Sequence, residues 1–526
     1  MTSIVIQIVL LILFIDAWHK TLIHQAHMFQ LNEYALDTHT RWMGKNRKEF
    51  VLPIAAIIAA AITAVPQKTA GAACIIGMAL LYILFAIRAF RRTKTKAKIK
   101  LAYTGRVKRM MTTSYILMVI LMLPCILAGM GINCMPALGY AVLLFLNPWI
   151  LMIASKLNMP IEKSINKGFI DEAKAILKDA PDMKIIGITG SYGKTSMKYY
   201  LTSLLKAQYD VLMTPGNFNT TLGVVRTIRE HYTPFNEIFV CEMGARRVGE
   251  IKEICDLVHP DAGIITSIGP QHLETFHTLD NVKKTKYELA NSLTPASPLF
   301  LNGDDENIMT WPHREDAIIY GIDNHAGYYA DNISADDQGS RFTVHTPDGR
   351  EMDFKTRLLG RHNVLNITGA IAVAHTMGIE LKALVPKVRK LEGVPHRLQF
   401  RKDNKGAIID DAYNSNPSGT RAALEVLGLF DGLKMMVTPG MVELGDKQDE
   451  LNYEFGQNAA AVCDYVALVG EAQTRPIYEG LISAGYPQEK IIVASNFNQA
   501  MKRVEAIPTA GQKRYILLEN DLPDNY

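Results

Sequence analysis

The sequence predicts an α/β protein behind a helical membrane region, and three observations predict it. Five apolar stretches crowd into the first 155 residues. A buried strand, a glycine-rich turn and a helix then follow one another across residues 184–207. From there on, apolar strand-like runs alternate with helical ones, the pattern of doubly wound, mostly parallel sheets.

The apolar stretches lie at about 3–17, 51–65, 72–90, 114–132 and 136–155. A spanning helix needs about 20 apolar residues. The last three reach that length, and Asp16 closes the first. That first stretch has no basic leader and no small-residue cleavage site after His19, so it reads as an uncleaved helix. Residues 91–113 hold nine Lys and Arg and no acid, and residues 18–49 carry Lys20, Arg41, Lys45, Arg47 and Lys48. Basic loops stay on the cytoplasmic side. The links at 66–71 and 133–135 are nearly uncharged and fall outside. Five spans then make a multi-pass protein of the cell membrane with residue 156 onward in the cytoplasm. The basic loop also suits anionic membrane lipid.

Charge is divided along the chain. Of 526 residues, the first 155 carry 16 basic and four acidic side chains, while the rest carry 40 and 48. A basic, apolar front and a mildly acidic rear are not the profile of a nucleic-acid binder. Cys74, Cys125, Cys134, Cys241, Cys255 and Cys463 show no CxxC spacing. They read as reduced, mostly buried thiols.

Residues 184–189 (KIIGIT) form the strand and 194–207 the helix. Between them stand Thr189, Gly190, Ser191, Tyr192, Gly193, Lys194, Thr195 and Ser196. Glycines free backbone N–H groups to wrap phosphates, and a helix N-terminus adds positive potential. Lys194 can reach β- and γ-phosphates, and Thr195 can hold Mg²⁺. A second strand, 236–243, ends on Glu242, an acid placed for a nucleotide-bound Mg²⁺. A third, 262–267, leads to His272.

Taken in order, these segments resemble the Mur ligase family of ATP-dependent amide ligases. The resemblance rests on GITGSYGKTS (187–196), TPGNFNTTLGVV (214–225), CEMGARRVGEI (241–251), SIGPQHLETFHTLDNVKKTKYEL (267–289), LNGDDEN (301–307), GRHNVLNITGAIAVA (360–374), GVPHRLQF (393–400) and IIDDAYNSNPSG (408–419). DDAYNSNP and GMVELG resemble the D-alanyl-D-alanine-adding branch. Apolar stretches replace the family's N-terminal uridine-binding domain. ILLENDLPDNY (516–526) replaces its Lys-Gly-Ser segment, and Gly440 stands where an aspartate is usual.

The resemblance implies amide synthesis through an acyl phosphate, with ATP and Mg²⁺. It implies that Lys194 and Arg397 meet the phosphates and that Thr195 and Glu242 hold Mg²⁺. His272 would hold a second Mg²⁺, together with Lys286 if that lysine is carbamylated. Thr189 to Ser196, Asn302, His362, Asn363, Arg397 and Asp411 would bind ATP. Asn217, Asn219, Thr220, Asn414 and Asn416 would face substrate. The acids Glu443, Asp446, Asp449 and Glu450 read as a solvated helix start. The implied partners are a muramoyl-peptide-like or lipid-linked carboxylate and an amine such as D-alanyl-D-alanine or another amino acid.

The expected organisation is a transmembrane region over 1–155, a linker helix over 156–180, a central ATP-binding domain over 181–392 and a Rossmann-like C-terminal domain over 393–526. Residues 318–355 suggest short antiparallel strands, and Gly393, Val394 and Pro395 a hinge. Other readings are a ligase making another envelope amide or a polyglutamate-type product, an ATP-driven transporter, and an inactive scaffold.

Overall fold

The structure is a computed structural model that describes residues 2–63, 77, 79–84, 87–88, 100–129, 135–336, 338–403, 406–413 and 415–521. Its contacts divide the chain into two compact units, with the break between Lys167 and Gly168.

The first unit is helical: α1 (Thr2–Leu31), α2 (Leu36–Lys45), α3 (Val51–Thr63), α4 (Gly105–Gly129), α5 (Met135–Phe145) and the start of α6 (Asn147–Lys178). Phe14, Trp18, Leu22, Phe29, Tyr82 and Leu151 form its core. Ile12, Ile116, Ile120, Leu123 and Leu127 point outward. Two helices are long and apolar enough to cross a membrane, Ile8–Leu31 and Gly105–Leu127. The pair α5 and α6, bent by 64°, makes a third if it counts as one span. Five spans are therefore not found among the described residues. Asp16 does not close the first helix, because Lys20 one turn on neutralises it at 2.7 Å. The second stretch forms only the 13 residues of α3. Much of 72–90, residues 91–99 of the basic loop, the link 66–71, most of the link 133–135, Cys74 and Cys134 lie outside the described residues. The expected linker helix is not separate, since α6 runs unbroken from the fifth stretch to Lys178.

The second unit holds two sheets. β1 (Lys184–Thr189), β2 (Val211–Met213), β3 (Ile238–Glu242), β4 (Ala262–Ile265), β5 (Leu299–Asn302), β6 (Ile318–Gly321), β7 (Tyr328–Asp336), β8 (Gly339–His345) and β9 (Glu351–Thr356) build the first. Their order is β2-β3-β1-β4-β5-β6-β7-β8-β9. Pairing is parallel up to β7, and β7, β8 and β9 are antiparallel. β1 is buried at every residue after Lys184, so it reads as one continuous apolar run. On one face α7 (Lys194–Leu205) packs against α11 (Arg361–Thr376), burying Met197, Leu201, Val364, Ile367 and Ile371. On the other lie α8 (Thr221–His231), α9 (Glu250–Val258) and α10 (Leu279–Ser292).

The second sheet contains β10 (Gln399–Asp403), β11 (Gly406–Asp411), β12 (Leu433–Thr438), β13 (Tyr465–Val469), β14 (Ile491–Ala494) and β15 (Arg514–Glu519), in the order β10-β11-β15-β12-β13-β14. All pairs but β10 with β11 are parallel. α12 (Pro417–Gly428) and α13 (Gln448–Ala460) cover one face and α15 (Phe497–Glu505) the other, while α14 (Glu471–Ser483) packs on α13. In the first sheet β1 sits between β3 and β4, so their carboxyl ends open a crevice at the topological switch point, where ligands of doubly wound sheets bind.

Candidate functional site

The crevice is framed by the turn between β1 and α7. Gly190 lies so close to β4 that a Cβ there would stand 2.1 Å from Thr266 Oγ1. Gly193, at φ +79°, starts α7 in a conformation that favours glycine. Ser191 N donates to Ser267 O at 2.7 Å and Tyr192 N to Ser267 Oγ at 2.8 Å, which fixes the loop on the end of β4. Lys194 Nζ donates to Gly190 O at 2.6 Å and Ser191 O at 3.1 Å. Burial lowers its pKa to about 8, against the pull of Glu242, and Arg397 lowers it further. Thr189 is spent on structure, its hydroxyl donating to Met243 O at 3.0 Å.

Glu242 ends β3 opposite Ile188 and is 1% exposed. Its Oε1 accepts from Thr195 Oγ1 at 3.2 Å and Asn219 Nδ2 at 3.0 Å. Its Oε2 lies 2.9 Å from Lys198 Nζ, off the line of a good hydrogen bond. Burial alone would raise this carboxyl, but Lys198 and Lys194 outweigh it and hold Glu242 below the usual carboxylate range. Lys198 has no exposure and also donates to Gly216 O at 2.6 Å. Sequence reasoning missed it. The signal was its spacing, because residues four apart on a helix share a face, and that face of α7 already carried Lys194.

Across the crevice, His272 Nδ1 meets Glu443 Oε2 at 2.5 Å, and Arg246 Nη2 lies 3.8 Å from Glu443 Oε1. Glu443 is therefore no part of a solvated helix start: at φ +64° its backbone turns the carboxylate in on His272. Burial lowers His272, Glu443 opposes, and Arg246 and Lys286 add to the lowering. Lys286, on α10, is 2% exposed. Burial and then Lys194 push its amine well below the ordinary lysine value, against Glu288 and Glu250. Lys194 thus feels the charge of both Glu242 and Arg397, and Lys286 feels that of Lys194 and bears on His272.

Beside the loop is a cavity of about 310 Å³ lined by Tyr192, Gly193, Ser196, Asn302, His362, Asn363, Arg397, Asp411 and Asn416. Arg397 stacks over Tyr413 at 4.2 Å. Several expected contacts are already engaged within the fold. Asn302 Nδ2 donates to Thr266 O, and Asn363 bridges Tyr200 and Leu359 O. Burial lowers His362 to about 4. Thr220 and Asn416 cap α8 and α12. Asn219 supports Glu242, and the loop carrying Asn217 is held through Gly216. Asn414 lies outside the described residues.

The donor set suits a hard cation. Mg²⁺ is commonly held by one or two protein oxygens plus phosphate oxygens, and the Thr195 hydroxyl and Glu242 carboxylate meet that need. No three His, Cys, Asp or Glu side chains converge as a ready metal cage among the described residues. His272 keeps only Nε2 for a ligand, and Lys286 would join it only as a carbamate, since an ammonium has no lone pair.

A sheet with a phosphate-type loop at its switch point, an acid at the next strand end and a second α/β sheet supplying Arg397 define a nucleotide-dependent two-domain fold. Residues 188–374 match the Mur ligase middle domain and 396–518 the Mur ligase glutamate ligase domain. The chain belongs to the Mur ligase family. It is similar to UDP-N-acetylmuramoyl-tripeptide–D-alanyl-D-alanine ligase of Bacillus subtilis (strain 168), at 34% identity over 54% of this chain and 62% of that one. It is 31% identical to the enzyme of the same name from Escherichia coli (strain K12), over 57% of this chain and 67% of that one. The chain thus spans less than two thirds of the length of the Bacillus relative. Among solved structures, MurF from Acinetobacter baumannii aligns at a TM-score of 0.60 and 27% identity, over 67% of this chain and 77% of that one. MurF ligase from Thermotoga maritima in complex with ADP aligns at 0.60 and 25%, over 68% and 80%.

Proposed function

We propose that this chain is a membrane-anchored, ATP-dependent acid–amine ligase acting on a cell-wall-type precursor. The observation that carries the reading is the charge arrangement around the loop after β1. Lys194, Lys198 and Arg397 bear on a cleft whose buried carboxylate, Glu242, is held as an anion. Such a site screens the approach of two anions, here a substrate carboxylate and the terminal phosphate of ATP.

In this reading the carboxylate attacks the γ-phosphorus and ADP leaves, and an amine then attacks the carbonyl carbon of the acyl phosphate, forming the amide and releasing phosphate and a proton. Lys194 leaves its contacts with the loop carbonyls to meet the transferring phosphoryl group. Thr195 and Glu242 would hold Mg²⁺, and His272 would hold a second with Lys286 if that lysine is carbamylated. The metal would supply charge neutralisation at the phosphate oxygens. Lys198 keeps Glu242 ionised and aimed. Arg397 reaches the phosphates from the C-terminal part, and Asp411 faces the ribose. The names of the relatives make a UDP-muramoyl-tripeptide and D-alanyl-D-alanine the first substrates to try.

The membrane reading draws support from the two long apolar helices and their outward apolar side chains. A multi-pass anchor with the second unit in the cytoplasm would bring it to a lipid-linked acceptor. The test is phosphate release by the detergent-purified chain across muramoyl acceptors and dipeptides. Lys194→Ala should lower turnover by about a hundred-fold or more, and full turnover in that variant would end the scheme.

A further inference from the structure

At the carboxyl end of β15 stands an acid that the reading above does not use. Glu519 has no exposure and lies directly across from Asp411 in the β11–β15 register. Ser415 Oγ donates to its Oε1 at 2.7 Å. Its Oε2 is buried with no donor in reach, on the strand position paired with Asp411. Two carboxylates that face each other cannot both be anions there, since like charges disfavour the second ionisation.

Arg397 favours the Asp411 anion, while Asp410 opposes it and is itself tied to His396 at 3.0 Å and Arg401 at 2.9 Å. On β12, the other neighbour of β15, Lys434 is opposite Tyr515 at the far end. On α12, Arg421 and Glu425 are exposed.

Asp411 also braces the nucleotide side of the cleft. Its Oδ1 accepts from Leu398 N at 3.0 Å. Leu398 and His396 hold φ of +48° and +59°, a region that non-glycine residues adopt only when their surroundings impose it. Between them Arg397 stacks on Tyr413, and Arg397, Leu398, Asp411 and Tyr413 all line the cavity.

We propose that Glu519 is a positioning residue: its protonated carboxyl donates to Asp411 and so fixes Asp411 and the Arg397–Leu398 turn where a nucleotide is bound. The inference rests on the nucleotide reading above. Burial, and then the charge of Asp411, raise Glu519 well above the usual carboxylate range, and burial raises Asp411 to about 6. A proton held this way is kept at low pH and lost as pH rises through the raised values.

The test is calorimetric titration of the detergent-purified full chain with ADP and MgCl₂ from about pH 6 to about pH 9. Affinity of the unaltered chain should fall as pH rises. Glu519→Gln keeps an N–H donor at every pH, so its profile should be flatter. Glu519→Ala should bind about ten-fold more weakly at low pH. Coincident profiles for the unaltered chain and Glu519→Gln overturn the inference. If Glu519→Ala does not fold, that comparison decides alone. Absence of ADP binding by the unaltered chain overturns the nucleotide reading and this inference together, whereas binding with coincident profiles overturns only this one.

Discussion

Replacing Lys198 with methionine is the sharpest test of how the cleft is built. The side chain has no exposure, and its ammonium serves Glu242 at 2.9 Å and Gly216 O at 2.6 Å. Methionine keeps most of the volume and removes the charge. Breaking a buried ion pair by deleting one partner costs about 3–5 kcal/mol. Asn219, Thr195 and Lys194 still support Glu242, which points to the lower end, about 3 kcal/mol. In a domain of this size each kcal/mol moves Tm by about 2–4 °C, so the fall should be about 6–12 °C. The assay is thermal unfolding of the detergent-purified chain at fixed scan rate. The double variant Lys198→Met with Glu242→Gln should recover most of the loss, because the buried carboxylate left without its partner is gone. The pH dependence follows from the sign of the shift. Glu242 is depressed in the folded chain, so its stabilisation is full above about pH 4.3 and is lost as pH falls through the folded value. Without Lys198 the carboxyl of Glu242 is less depressed, and the deficit should shrink on acidification. An unchanged melting temperature in the single variant, or a double variant no better than the single, would refute the reasoning.

Three further outcomes are expected. If Lys286 acts as a carbamate, its depressed amine pKa supplies the neutral nucleophile that CO₂ needs, so turnover should fall at least about ten-fold in CO₂-depleted buffer and return with bicarbonate; indifference to bicarbonate counts against a carbamate. Glu443→Gln removes the one acid that raises His272, so the imidazole stays neutral to lower pH, and the Mg²⁺ needed for half-maximal phosphate release should rise by about 10–100-fold. An unshifted Mg²⁺ titration would leave Glu443 without that role. Washing membranes with alkaline carbonate should leave the full chain in the pellet, and its release into the supernatant would contradict spanning helices.

The sequence by itself determined the local chemistry. β1 runs over the residues its apolar pattern indicates, because a strand buried on both faces writes its limits as an unbroken apolar run. The phosphate-type loop was equally legible, since Gly190 and Gly193 are demanded by backbone geometry within a few residues. The antiparallel strands within 318–355 were visible in composition, but their pairing with β6 as one nine-stranded sheet was not. Tertiary structure alone decided what crosses between distant segments. It gave Glu242 its second cation from α7, turned Glu443 on to His272, and set Glu519 against Asp411. Charge compensation of this kind depends on side chains meeting in three dimensions across a sequence separation of up to 171, and no local pattern records that meeting.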